Sequence, residues 1–188
     1  MSAQRKAAFV DRDGVINEER HYVHRIDDFV LLPNVAEGLA ALRDAGFLLV
    51  VVTNQAGIAR GYYDEATLDV LHRHMRELLR ASGVELDAIY HCPHHPQGTV
   101  PAFAMACRCR KPEPGMLLQA AEDLDLDLSA SILIGDKPSD IEAGLRAGLR
   151  ATALVETGHD IPERERSTPQ IIAPDLLAAA RALTHISK

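Results

Sequence analysis

Ala7-Ala8-Phe9-Val10-Asp11-Arg12-Asp13-Gly14 carries an apolar run straight into two carboxylates and a glycine. A short apolar run bounded by a turn signal reads as a buried strand, and Gly14 marks a sharp turn at its end. Two carboxylates one residue apart at the tip of such a strand raise each other's proton affinity unless a cation lies between them. Bound Mg²⁺ would resolve that conflict and fit the pair for phosphoryl chemistry. An isolated D-x-D string also reads as a solvated acidic turn, so the surrounding chain has to decide.

Outward from this stretch, short apolar runs alternate with helical periodicity, the pattern of an α/β fold built on a mainly parallel sheet. Asn34 is expected to cap a helix carrying Val35, Leu39 and Leu42 that ends at Gly46. Leu48 to Val52 is the strongest strand signal and runs into Thr53-Asn54-Gln55. Asp64 caps a helix whose Leu68, Leu71, Met75, Leu78 and Leu79 keep helical spacing until Gly83; on it, His72 and His74 are expected to face solvent. Ala88-Ile89-Tyr90 reads as a further strand, and helix returns from Pro114 to Leu124. Ser131 to Ile134 is a strand running into Gly135-Asp136-Lys137, followed by a short helix to Gly148 and a strand over Ala151 to Val155. Glu156 to Pro169 reads as a polar loop, and Leu176 to Leu183 as a closing helix. Residues 1–188 read as a single domain, with no repeat or linker.

Composition narrows the function. The 188 residues are 47% hydrophobic and 25% charged, which suits a soluble domain with a sizeable core. A net charge of −7, no Trp and only four Tyr and four Phe speak against a nucleic-acid or anionic-membrane partner. No signal-peptide pattern or membrane-length apolar run is present, so a cytoplasmic protein is expected. The three cysteines, an odd number, argue against a disulfide framework.

In open parallel sheets, ligands collect at the carboxyl ends of the strands. Three such ends carry unusual polar groups: Asp11 and Asp13, then Thr53 and Asn54, then Asp136 with Lys137. Arg110-Lys111-Pro112 adds cations before a helix. A carboxylate nucleophile, a metal, a hydroxyl donor and a lysine around one phosphate suit phosphoryl transfer, in which the protein mainly positions groups and neutralises charge.

Residues 91 to 115 break the alternation with five prolines, three cysteines and three histidines. Cys92-x-His94, twelve further residues and Cys107-x-Cys109 make a three-sulfur, one-nitrogen set for structural Zn²⁺, with His95 an alternative nitrogen and reduced, unligated thiols the other reading. A long proline-rich loop with little apolar content does not fold on its own burial. A metal would fix the 91–111 loop, and with it Arg110 and Lys111.

The ordered set Asp11-Arg12-Asp13-Gly14, Thr53, Lys111 and Gly135-Asp136 followed by Asp140 resembles the haloacid dehalogenase superfamily of phosphatases. Asp11 to Asn17, Thr53-Asn54-Gln55, Gly57 to Gly61, Cys92 to Pro96, Cys107 to Pro112 and Gly135-Asp136-Lys137 are similar to its heptose-bisphosphate phosphatase family. Val15 and Ala56 depart from that pattern, standing where Thr and Ser are frequent.

The resemblance implies a three-layer α/β/α Rossmann-like fold without a large cap domain, its place partly taken by the zinc loop. It implies that Asp11 attacks phosphorus and that Asp13 serves the leaving oxygen and then the hydrolytic water. Mg²⁺ would be held by Asp11, the Asp13 backbone carbonyl and Asp136, and Zn²⁺ by Cys92, His94, Cys107 and Cys109. Thr53 and Lys111 would hold the phosphoryl group. Asp140 either braces the metal loop or is a helix N-terminal acid favoured by the dipole.

Substrate contacts are expected from Asn54, Gln55 and Ala56, from Arg110 and Lys137, and from Glu19, Arg20, His21 and Tyr22 closing over a sugar. Arg110, as a bidentate cation, suits a distal phosphate. Arg110 also reads as a surface arginine, and His21 as an ordinary loop residue. The implied reaction is removal of the 7-phosphate from a heptose 1,7-bisphosphate by a monomer, supplying nucleotide-activated heptose for lipopolysaccharide core. Histidinol-phosphate phosphatase chemistry on the same core is the nearest alternative, and a non-catalytic zinc-stabilised interaction module is the alternative from another class.

Overall fold

The computed structural model describes residues 4–161 and 171–185. Six strands, β1 (Lys6–Val10), β2 (Phe47–Asn54), β3 (Ala88–Cys92), β4 (Ile132–Gly135), β5 (Ala151–Val155) and β6 (Ile171–Ala173), form one sheet in the order β3-β2-β1-β4-β5-β6. Every neighbouring pair is parallel. The helices are α1 (Val35–Asp44), α2 (Ala56–Ala59), α3 (Glu65–Ala81), α4 (Gly115–Leu124), α5 (Pro138–Arg146) and α6 (Leu176–Thr184).

Strand periodicity sorts the core into two faces. Ala8 and Val10, Leu49 and Val51, and Ile132 and Ile134 point to one side, where α1, α3 and α6 supply Leu39, Leu42, Leu71, Met75, Leu79, Leu176 and Leu183. The alternate residues Ala7, Phe9, Val50, Val52 and Leu133 meet Met116, Leu117 and Ala120 of α4 and Ala143 of α5 on the other. Strands covered on both faces must be apolar throughout, which is why these read as runs rather than alternations. The result is the three-layer α/β/α arrangement expected, with β1 between β2 and β4 at the point where strand order reverses. Ligand crevices open there.

Asp64 caps α3 as expected, accepting from Thr67 N at 2.8 Å. Asn34 does not cap α1. It adopts a left-handed conformation (φ 63°) and makes no side-chain cap bond. Its amide instead donates to Asp175 Oδ2 at 2.8 Å, bracing the residue that caps α6. The expected loop from Glu156 to Pro169 falls partly outside the described residues. Beyond it, Ile171–Ala173 forms an edge strand, too short to stand out from sequence.

His72 also departs from expectation. It is buried on the inward stripe of α3, whereas the half-buried His74 packs edge-on to Phe29 with ring centroids 6.1 Å apart. The imidazole of His72 finds a polar partner inside, Arg12, which the linear pattern of the helix did not reveal.

Candidate active site

The chain leaves β1 at Asp11, whose N–H still donates to Ile134 O at 3.0 Å, and then turns sharply. Gly14 sits at φ 83°, and a Cβ there would collide with the Asp136 carboxylate. Only glycine lets the two acidic loops approach so closely. Asp11, Asp136 and Asp140 can each direct an oxygen to within 4.8 Å of the others. All three are buried.

Burial pushes the Asp11 carboxyl up to about 6, with Asp140 and Asp13 adding to the rise and Lys111 opposing it. Burial, followed by the charges of Asp11 and Asp140, pushes Asp136 up to about 8. Three buried carboxylates against one lysine leave an excess of negative charge. Asp136 Oδ1 is buried without a hydrogen-bond partner among the described residues. A buried carboxyl oxygen without a donor, on a residue clustered with two other acids, fits a hard divalent cation, which would also favour the ionised forms.

Lys111 reaches this cluster from the cysteine-rich loop. Its Nζ lies 3.0 Å from Asp11 Oδ1 and 2.6 Å from Asp140 Oδ1, and it donates to Val52 O at 2.7 Å. Burial alone would lower its proton affinity, but Asp11 and Asp140 outweigh that and hold it charged. Asn54 grips the Lys111 backbone on both sides, accepting from its N–H and donating to its carbonyl, each at 3.0 Å. Asp140 Oδ2 accepts from Lys137 N at the start of α5, while its Oδ1 faces Lys111.

Asp13 lies on the other side of the turn. Arg12 Nη2 reaches both of its oxygens at 2.8 Å and Arg12 Nε one of them at 3.1 Å. Asn17 Nδ2 and Gln55 Nε2 each donate to it at 3.0 Å. Burial would raise this carboxyl, but Arg12 and the surrounding donors bring it below the usual carboxylate range. Gln55 Nε2 also donates to Thr53 Oγ1 at 2.8 Å, and Tyr63 OH, donating to Gln55 Oε1 at 2.5 Å, fixes which end of the amide faces them.

These groups open into a cavity of about 510 Å³. Asp11, Asp13, Thr53, Asn54, Gln55, Ala56, Arg110, Lys111, Lys137, Glu19, His21 and Tyr22 line it, so most of the expected site residues converge. Asp136 is not among the lining residues and belongs to the carboxylate cluster with Asp11 and Asp140. Arg20 is not among the lining residues and pairs with Glu18 at 2.6 Å. His21 and Tyr22 both have positive φ, 54° and 58°, a conformation side chains other than glycine seldom adopt. Tyr22 meets Tyr62 edge-to-face across 4.9 Å.

Sequence reasoning missed several members of the site. Arg60, Tyr63, Ser139 and His95 line the cavity. His159 places Nδ1 2.5 Å from Asp136 Oδ2. Burial and the charge of Lys137 lower its proton affinity. His159 carried no linear signal, since it sits in a polar loop far from any motif. Arg12 could have been found: a charged side chain fixed between two buried aspartates has few places to go.

Cys92, His94, Cys107 and Cys109 cluster with all four donor atoms within 4.8 Å. The sulfurs are 3.1 to 3.5 Å apart and His94 Nδ1 lies 3.4 Å from Cys109 Sγ. Three thiols and one imidazole converging in this way form a donor set suited to tetrahedral Zn²⁺. His94, not His95, is the nitrogen of the set. Arg110 is tied to the cluster, its N–H donating to Cys107 Sγ and its Nη1 to His94 O, both at 3.3 Å.

The HAD-hydrolase-like family model matches residues 108–179. The chain is 46% identical to a D-glycero-alpha-D-manno-heptose-1,7-bisphosphate 7-phosphatase of Photorhabdus laumondii, covering 95% of this chain and 96% of that one. It is 47% identical to the D-glycero-beta-D-manno-heptose-1,7-bisphosphate 7-phosphatase of Escherichia coli, covering 88% and 87%. The solved D,D-heptose 1,7-bisphosphate phosphatase of B. bronchiseptica, complexed with magnesium and phosphate, superposes with a TM-score of 0.80 at 36% identity, covering 95% and 97%. Matched over most of its length to such relatives, the chain belongs to the D-glycero-D-manno-heptose-1,7-bisphosphate 7-phosphatase family of haloacid dehalogenase-like phosphatases.

Proposed function

We propose that this protein removes the 7-phosphate of D-glycero-D-manno-heptose 1,7-bisphosphate, releasing inorganic phosphate and heptose 1-phosphate for nucleotide activation. The observation that carries this reading is the placement of Asp11, at the tip of β1, against Lys111 and in a cluster with Asp136 and Asp140, where Asp11, Lys111 and Asp140 line one polar cavity. The sheet with both its helical layers supports residues 1–188 acting as one phosphatase domain.

In the first step an Asp11 oxygen attacks phosphorus and the bond from phosphorus to the C7 oxygen breaks. The departing oxygen takes a proton from Asp13, leaving an acyl phosphate on Asp11. In the second, Asp13 takes a proton from water as the water oxygen attacks the same phosphorus. Inorganic phosphate departs and the Asp11 carboxylate is restored. The donors around Asp13 favour its ionised form, which suits the second step. A phosphate dianion arriving beside it raises its proton affinity, which the first step requires.

Thr53 and Lys111 bind the phosphoryl oxygens, and Lys111 also offsets the charge of the attacking carboxylate. Mg²⁺ held by Asp11, the Asp13 backbone carbonyl and Asp136 would supply the charge neutralisation that lets an anion attack an anion. Zn²⁺ held by Cys92, His94, Cys107 and Cys109 would fix the loop that presents Arg110. Arg110 and Lys137, both on the cavity wall, suit the 1-phosphate, with Arg110 able to make a bidentate contact. Glu19, His21 and Tyr22 are placed to contact the sugar between the two phosphates.

The test is Mg²⁺-dependent phosphate release from both anomers of the heptose bisphosphate beside histidinol phosphate. A kcat/KM at least about tenfold higher for one heptose anomer, lost in Asp11→Asn, is expected. Preference for histidinol phosphate would overturn the substrate, and failure to hydrolyse any phosphate ester would overturn the activity.

A further inference from the structure

Arg12 is among the most buried side chains described, at 0% exposure. A guanidinium carries five donors and no acceptor, and it stays charged even when buried. Such a group is tolerated inside a protein only where its donors are matched. Two of its edges are accounted for by Asp13 and by Val23 O, the latter 2.7 Å from Nη2. The remaining nitrogen, Nη1, lies 3.2 Å from His72 Nε2.

His72 comes from α3, a different element, and lies on its inward stripe with Leu68, Leu71, Met75 and Leu79. Packing alone would accept an apolar residue at that place in the stripe. Because Arg12 can only donate, Nε2 must be the accepting nitrogen and the ring proton must sit on Nδ1. The imidazole thus holds the guanidinium from behind while its opposite edge grips Asp13.

We propose that His72 is a positioning residue: by accepting from Arg12 Nη1 it fixes the guanidinium that holds Asp13 in place to serve the leaving oxygen. This rests on the proton-transfer role given to Asp13 above. A guanidinium without the imidazole behind it rotates toward other acceptors, and the Asp13 carboxyl turns with it. Both proton transfers given to Asp13 suffer, but kcat/KM reports only the steps through release of the first product, so in kcat/KM the cost falls on protonation of the leaving group.

That asymmetry separates positioning from mere structural support. The holoenzyme, loaded with both metals, is assayed as wild type, His72→Leu, His72→Gln and Asp13→Asn. Each is given the sugar phosphate that wild type hydrolyses best and p-nitrophenyl phosphate, whose phenolate leaves without protonation. His72→Leu is expected to lower kcat/KM on the sugar phosphate by about 10- to 100-fold while changing p-nitrophenyl phosphate by less than about threefold. His72→Gln, whose amide oxygen can accept from Nη1, is expected to recover most of the loss.

Equal losses on both substrates, or no loss in a folded His72→Leu, overturn the proposal. Should His72→Leu not fold, Arg12→Lys takes its place. It keeps a cation beside Asp13 but cannot span Asp13 and His72 together, so the same selective loss is expected, and an equal loss again overturns the proposal. Asp13→Asn tests the underlying role on its own. If it shows no leaving-group selectivity, the assignment of Asp13 falls; if it is selective while the His72 variants are not, only the positioning role falls. A wild type that hydrolyses no sugar phosphate overturns both.

Discussion

Two clusters suited to metals lie at the same end of the sheet, and they are built in opposite ways. Asp11 and Asp136 extend from β1 and β4, central strands paired on both sides and buried apart from Lys6 at the start of β1. Their positions are set by the parallel ladder before any ion arrives. Of the second cluster only Cys92 belongs to a strand, the end of β3; His94, Cys107 and Cys109 lie on the segment leading to α4. That segment is held by few apolar contacts, chiefly Phe103 against Ile58, Tyr63 and Leu68, and by Thr99 and Val100 N–H groups donating to Ala59 O. At the carboxylates the scaffold fixes the ligands, and the cation would serve chemistry. At the thiols the ligands would fix the scaffold.

Asp11→Asn would break this contrast most directly. Removing the nucleophile should lower turnover by at least about a thousandfold. The fold should survive, because the substitution also relieves repulsion among buried carboxylates. Initial-rate assays beside thermal melts test both halves. A collapsed melting temperature would mean that the carboxylate cluster is structural after all.

Cys107→Ser should give the converse result, with a smaller kinetic effect. Bound zinc, measured by elemental analysis, should fall, and amide exchange should quicken across residues 93–110 while the sheet stays protected. Arg110 depends on the cluster through Cys107 Sγ and His94 O, whereas Lys111 is anchored to Asn54 on the sheet. Loss of zinc should therefore raise KM more than it lowers kcat, with kcat/KM down by about 100-fold. A fall confined to kcat would place Lys111 under the control of the loop.

The same contrast explains what could be seen in sequence. Strand runs such as Leu48 to Val52 are legible because a buried parallel strand must be apolar on both faces. The carboxylates at their ends are legible because acid at the tip of an apolar run is costly. Cysteine spacing announced the thiol cluster. Contacts made through space left no such trace. Asn34 looks like a helix cap from its neighbours in sequence, yet its partner, Asp175, is distant along the chain. His159 meets Asp136 from a polar loop, and His72 looks like a solvent-facing helix residue until Arg12 is found beneath it.

His72 gives the smallest effect, one read through acid rather than through chelators. Burial, then the charges of Arg12, His91 and Arg76, push its imidazole down to about 3, with Asp13 opposing. An imidazole free in the unfolded chain takes up a proton near pH 6.5, so below that pH the unfolded state binds the extra proton and the folded state does not. Stability must then fall as pH drops from 6.5 toward 3, and it is fully present above that window. Between neutral pH and a pH of about 5 the loss attributable to this group is on the order of 1–2 kcal/mol. Zinc release and carboxylate protonation also respond to acid, but they are common to wild type and His72→Gln. Urea unfolding of the two proteins at both pH values isolates the difference. A steeper acid loss in wild type is expected; parallel losses would mean that the buried imidazole takes up its proton without unfolding, and that the sheet-borne site is looser than its burial suggests.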